Sequence, residues 1–130
     1  MKAVPTDNQY RHLLEFRTKL RRFDQWSRAA AHDHGLTHSQ HQLLLAIRGH
    51  ADAGGPTIGD VADALLIKSH TAGELVDRTH ALGLVDRARD PDDHRRVRLL
   101  LTHKGNDVLH ALTAVHLEEL RRLGPLLGDL

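Results

Sequence analysis

The sequence predicts a mainly α protein with one small β hairpin. Apolar residues recur at helical spacing in five separate stretches. Only one pair of short strand-like runs occurs, Leu84 to Arg89 and Arg96 to Leu101, on either side of Asp90-Pro91-Asp92-Asp93-His94-Arg95. Aromatic residues are only 3% of the 130, which leaves a core built from Leu, Ala, Val and Ile. That length suits a single domain with one core of modest size.

The first helix is expected to start after Pro5, with Thr6 or Asp7 as its N-cap. Leu13, Phe16, Leu20, Phe23, Trp26 and Ala30 form its apolar stripe, while Arg11, Arg17, Lys19, Arg21, Arg22 and Arg28 carry the other faces. Running to His34-Gly35, it has about seven turns, long enough to suggest packing against a second chain. Thr37 and Gln40 have capping-box spacing for a second helix that is rich in Leu43, Leu44, Leu45 and Ile47 and stops at Gly49. Ala51 to Pro56 reads as a loop. Thr57 caps a short third helix through Leu65, and after Leu66-Ile67-Lys68 a fourth runs from Ser69 to Leu82. Its apolar side is Ala72, Leu75, Val76, Thr79 and Leu82, and Gly83 suits a left-handed C-terminal position. Pro91 and the aspartates suit the hairpin turn. Thr102 caps the last helix, with Val108, Leu112, Val115 and Leu120 among its apolar positions. Gly124-Pro125 is expected to end or kink it, leaving an apolar tail at Leu126, Leu127 and Leu130.

Composition limits the function. With no cysteine, disulfides, thiolate metal sites and thiol redox switches are excluded. Lys plus Arg (18) nearly balance Asp plus Glu (17), so any nucleic-acid surface must come from local clustering of charge. No apolar run approaches the ~20 residues that span a bilayer. Met1 to Arg11 has no apolar signal core, so a cytoplasmic protein without membrane association is expected. No nucleophile elbow, phosphate loop or His-Glu-x-x-His motif occurs, and neither catalysis nor a cofactor is expected.

Two short helices joined by a tight turn describe a helix-turn-helix. Adding the charged hairpin and the flanking long helices gives a winged helix-turn-helix. Its fourth helix has the chemistry to enter the major groove of duplex DNA. Lys68, Ser69, His70 and Thr71 put small and polar groups at the N-terminal end, where backbone amides meet phosphates and base edges. Gly73 clears space one turn on, and Glu74, Asp77 and Arg78 complete the polar side. Glu74 and Asp77 have three available roles: accepting from cytosine, repelling phosphate, or pairing with Arg78; because adjacent Asp77 and Arg78 point differently, partners elsewhere are favoured. The hairpin carries Arg87, Arg89, Arg95, Arg96 and Arg98, with Arg87 and Arg89 expected on one face. Arg95, near the tip, is placed to enter the minor groove. Each piece also has a plain reading, as a solvated Arg-rich hairpin or as an ordinary helix pair.

From Leu36 to Gly105 the chain resembles the MarR family of bacterial transcriptional regulators. The likeness rests on Leu36-Thr37, Gly59-Asp60-Val61-Ala62, Leu75-Val76-Asp77-Arg78, Gly83-Leu84-Val85, the wing Arg89 to Val97, and Leu101-Thr102-His103-Lys104-Gly105. It implies a homodimer, with residues 6–34 and 102–130 as dimerisation helices around a DNA-binding core at 36–101. It also implies that Ser69, His70 and Thr71 open the recognition helix, that Arg95 leads the wing, and that Asp93 holds Arg95 as an ion pair. The family commonly has adjacent arginines where this chain reads His94-Arg95, with Arg96 following. The implied activity is sequence-specific binding of a pseudo-palindromic operator by a repressor released by a small aromatic effector, for which Phe16, Phe23 and Trp26 are the available aromatic surface. Two alternatives stand beside it: a winged-helix module that binds protein instead of DNA, and a metal-responsive regulator.

The metal alternative comes from twelve histidines, which the family does not explain. His38 and His41 stand three apart on the second helix after His32 and His34, and His103, His110 and His116 lie along the last. The candidate ligands are His38, His41 and His110, weighed against scattered surface and capping histidines. Titration of histidine near neutral pH is the other property this composition offers.

Overall fold

The structure, a computed structural model, describes residues 2–124. The expected tail at Leu126, Leu127 and Leu130, and the final six residues of the expected dimerisation segment, lie outside them. The elements are α1 (Asp7–Asp33), α2 (His38–Arg48), α3 (Ile58–Leu65), α4 (Ser69–Ala81), β1 (Val85–Arg89), β2 (Val97–Leu101) and α5 (His103–Leu123). Among the described residues no helix is long and apolar enough to cross a membrane.

Helix starts follow their capping residues. Thr6 with Gln9, Thr37 with Gln40 and Thr57 with Asp60 each form a complete capping box, and the Thr102 hydroxyl accepts from the Gly105 amide. The Thr57 backbone N–H, with its hydroxyl, keeps the Asp60 carboxyl below the usual carboxylate range. β1 and β2 pair antiparallel, with Val85 opposite Leu101, Arg87 opposite Leu99 and Arg89 opposite Val97. The buried faces of α2, α3 and α4 and the inner side of this hairpin meet around Leu43, Leu44, Val61, Val76, Val85 and Leu99. Leu109 and Leu112 bring α5 into the same core, and Ala30 and Ala31 bring in the end of α1.

Several boundaries and faces differ from expectation. Helix α4 stops at Ala81, with Leu82 as its cap, because the Gly83 and Leu84 amides turn back to His80 and Thr79 carbonyls. Gly83 is left-handed as expected, but the stop at Gly49 is not (φ −84°). Both strands start one residue late: the Leu84 amide still turns back to the Thr79 carbonyl of α4 and its carbonyl accepts from the Thr102 amide, while the Arg96 amide closes a turn on the Asp93 carbonyl. Leu13 and Leu20 of the α1 stripe are exposed together with Tyr10 and Leu14. Only the second half of α1, from Phe23 onward, gains substantial cover, from α2 and α5.

Two backbone features position the helix-turn-helix. Leu66 ends α3 in the left-handed conformation (φ 57°, ψ 44°) and is 91% exposed as a residue. The turn's geometry therefore holds despite an unfavourable residue. Gly105 lies so close to the Leu84 carbonyl that a Cβ would collide with it, which lets the start of α5 press against the end of α4.

Candidate nucleic-acid interface

Helix α4 is two-faced. Ala72, Leu75, Val76 and Thr79 are buried, the Thr79 hydroxyl donating to the Leu75 carbonyl at 2.7 Å. Lys68, Ser69, His70, Thr71, Glu74, Asp77 and Arg78 are exposed. Lys68 is the N-cap and makes no side-chain capping bond, so the first-turn amides of this 13-residue helix face outward beside a free ammonium group. Nothing stands within 4 Å of the position a Gly73 Cβ would take. The expected polar row is thus one continuous surface. Asp77 pairs with Arg87 of β1 and not with Arg78, which ties α4 to the wing while the Asp77 side chain stays exposed.

The wing has an anchored base and a free tip. At the base, the buried Asp90 carboxylate accepts from the Asp92 and Asp93 amides at 2.8 and 3.2 Å and pairs with Arg98 at 2.8 Å. The Asp92 amide, followed by the Arg98 guanidinium, holds the Asp90 carboxyl below the usual carboxylate range. Arg98 also donates to the Gly55 carbonyl at 2.9 Å and reaches Asp52 at 3.4 Å. Next to it the Leu99 amide donates to the Pro56 carbonyl at 2.8 Å, so the 51–56 loop and the hairpin base act as one piece. At the tip, Asp93 Oδ1 accepts from both the Arg95 amide and the Arg95 side chain, at 3.1 and 3.2 Å. The Arg95 side chain is nonetheless 91% exposed. Arg89 donates to the His94 carbonyl at 2.7 Å, and the side chains of His94 and Arg96 are exposed.

The five hairpin arginines therefore separate by role. Arg87 and Arg98 are committed within the fold, while Arg89 braces the tip and Arg95 and Arg96 reach solvent. Arg87 and Arg89 share one face of β1 as alternation requires, but α4 holds the first through Asp77 and the turn holds the second through the His94 carbonyl. The Asp90–Arg98 pair was missed in sequence reasoning. The available signal was an acid and a base flanking the turn at positions that hairpin pairing brings together.

The candidate metal ligands do not converge. His38 and His41 lie near the α1–α2–α5 junction, where His41 meets His116, not His110 (ring centroids 4.7 Å apart). His110 lies on an exposed face of α5, beside a surface hollow bordered by Arg48, Asn106, Asp107 and Thr113. Among the described residues no three His, Asp or Glu side chains come together as a metal site. Phe23 and Trp26 stack at 6.0 Å near the same junction.

Comparison with known proteins places this architecture. Residues 34–96 match the MarR family. The chain is 36% identical over 72 residues to the HTH-type transcriptional regulator TtmR of Methylorubrum extorquens, covering 55% of this chain and 35% of that protein. It is 31% identical over 70 residues to the HTH-type transcriptional regulator YsmB of Bacillus subtilis, covering 54% and 48%. The match therefore spans less than half the length of either relative. A variant of the S. aureus regulator MepR, solved bound to an oligodeoxyribonucleotide, superposes with a TM-score of 0.71 at 26% identity, covering 88% of this chain and 80% of that one.

Proposed function

We propose that this chain, which carries the winged-helix core of the MarR family, is a dimeric, sequence-specific DNA-binding transcriptional regulator that acts by binding and not by catalysis. The observation that carries this reading is the pairing of two exposed elements: the uncapped, Lys68-flanked N-terminus of α4 and a wing tip whose Arg95 is pre-set by Asp93. A helix N-terminus with free amides suits phosphate and base edges in the major groove, and an extended arginine suits the minor groove. Ser69, His70 and Thr71 open the reading surface with Gly73 and Arg78 behind them, while Lys68, Arg89, Arg96 and His94 supply flanking contacts.

Residues 36–101 form the DNA-binding unit of this proposal, and the long helices α1 and α5 form the dimer. Exposed Tyr10, Leu13, Leu14 and Leu117 support that division, since these apolar side chains lack cover within one chain. Two recognition helices then meet successive major grooves ~34–36 Å apart, so the operator is a pseudo-palindrome. Repression relieved by a small aromatic effector at the Phe23–Trp26 surface, in a cytoplasmic setting where DNA is accessible, completes the reading.

The test is selection of duplex DNA from a random pool by the protein, followed by a salt titration of binding. A two-fold symmetric selected site whose affinity drops steeply with salt is the expected result. No enrichment and no salt-sensitive binding would replace the regulator with a protein-interaction module, the role to which the exposed Glu74 on the reading face would then belong.

A further inference from the structure

We propose that His41 and His116 form a proton-operated joint between the DNA-binding core and the long helices, through which acidification loosens α2 from α1 and α5 and lowers operator affinity. The joint is a packed cluster. His41, 3% exposed, sits on α2 with its ring 4.7 Å from that of His116 on α5. The His116 ring stands edge-on to Trp26 at 4.8 Å and to Phe23 at 5.9 Å, both on α1. Three helices thus meet through two imidazoles.

Hydrogen bonding fixes the tautomer of His116. His116 Nδ1 lies 2.7 Å from the Leu112 carbonyl, which only accepts, so that nitrogen carries the proton. His116 Nε2 is then left to accept the hydroxyl of buried Ser27 at 2.7 Å. The neutral ring is satisfied at both nitrogens, and a second proton forces Ser27 to reverse. No carboxylate is among the groups whose charge reaches His41; those groups are His116, His38 and His34, each a cation once protonated. The one acid nearby on α1, Asp24, is bonded to Arg28 at 2.9 Å and stands 3.7 Å from His38. His38 Nδ1 is buried with no partner, a further group that opening would hydrate.

Burial, followed by neighbouring His116, lowers the His41 pKa to about 4, against 6.5 for a hydrated imidazole. The open joint therefore binds the proton more readily, and each pH unit below 6.5 favours it by up to about tenfold until about pH 4. The His41→Gln variant separates the joint from the reading surface, because it leaves the exposed His70 and His94 unchanged. The output rests on the DNA-binding reading, whereas the joint itself does not.

The experiment uses the full chain at constant ionic strength from pH 7.5 to 4.5, with Trp26 emission read without DNA and affinity read on the selected operator. Trp26 is the only tryptophan and it touches His116. The expected result is an emission change with a midpoint between pH 4 and 6.5, an affinity loss of about threefold or more per pH unit in that interval, and both flattened in His41→Gln. Flat emission, or an unchanged pH response in both His41→Gln and His116→Gln, would overturn the joint. If neither variant folds, histidine ring-proton NMR of the unmodified chain decides: one midpoint well below 6.5 supports it, and all midpoints near 6.5 sink it. A titrating Trp26 signal in a protein that selects no DNA supports the joint while removing the regulator reading.

Discussion

The base and the tip of the wing are built from the same residue types, yet they do different work. At the base, Arg98 is only 16% exposed on its side chain and meets Asp90, Asp52 and the Gly55 carbonyl. At the tip, Arg95 meets one carboxylate, Asp93, and keeps 91% of its side chain in solvent. An arginine with several partners, shielded from water, holds a fold together, and removing it strands the groups it neutralised. An exposed arginine with one partner contributes little to stability and remains available to a polyanion. Burial, not charge pattern, assigns the roles.

Substitutions can break that contrast. Arg98→Ala leaves the Asp90 carboxylate and the Gly55 carbonyl without their partner, so we expect a fall of several degrees in Tm together with roughly tenfold weaker operator binding. Differential scanning calorimetry and a binding isotherm check the two halves, and an unchanged Tm would erase the difference between base and tip. Arg95→Ala is expected to leave Tm in place, weaken binding several-fold and make the log–log salt dependence shallower by about one per wing. Equal affinity and slope would remove Arg95 from the interface.

The pH response sharpens the comparison from another side. The folded pKa of Asp90 is lowered, so its stabilisation is complete above the ordinary carboxylate value of 3.8 and is lost only as pH falls below that through the folded value. His41, also lowered, loses its contribution as pH falls from 6.5 toward about 4. Acidification is therefore expected to disturb the helix junction before the wing base. Amide hydrogen exchange of Asp92 and Asp93 at pH 5, against the amides around His41, reads that order, and simultaneous loss of protection would refute it.

The smallest effect belongs to the turn before α4. Leu66→Gly removes an exposed side chain held at φ 57° and should stabilise by about 0.5–1 kcal/mol, the relief of left-handed strain outweighing glycine's added freedom in the unfolded chain. Chemical denaturation checks it, and a loss of stability would mean that Leu66 makes a contact worth more than its strain.

Local chemistry was legible in the sequence. The N-caps Thr6, Thr57 and Thr102, the capping box of Thr37 with Gln40, the loop at 51–56 and the left-handed Gly83 obey short-range rules. The Asp93–Arg95 pair, by contrast, came from the family resemblance, and the boxes at Thr6 and Thr57 went unread. Contacts across the fold were not legible. Asp77 with Arg87 depends on how α4 is set against β1, and His41 with His116 joins residues 75 positions apart. Periodicity marks Leu13 and Leu20 as apolar-face residues but does not say whether this chain or another covers that face. The wing arginines looked equivalent because their number and spacing say nothing about which of them the 51–56 loop would meet.

The way the tip is fastened has a consequence for how such a protein changes over generations. The Asp90–Arg98 network holds the tip through backbone groups, the Asp93 amide among them, while the only side-chain bond of residues 94 to 96 runs from Arg95 to Asp93. Residues 94 to 96 can therefore be rewritten, in a laboratory or in a lineage, without reopening the question of whether the domain folds. In the DNA-binding function proposed above, a tip whose side chains are independent of its base lets target preference drift while the scaffold is inherited intact.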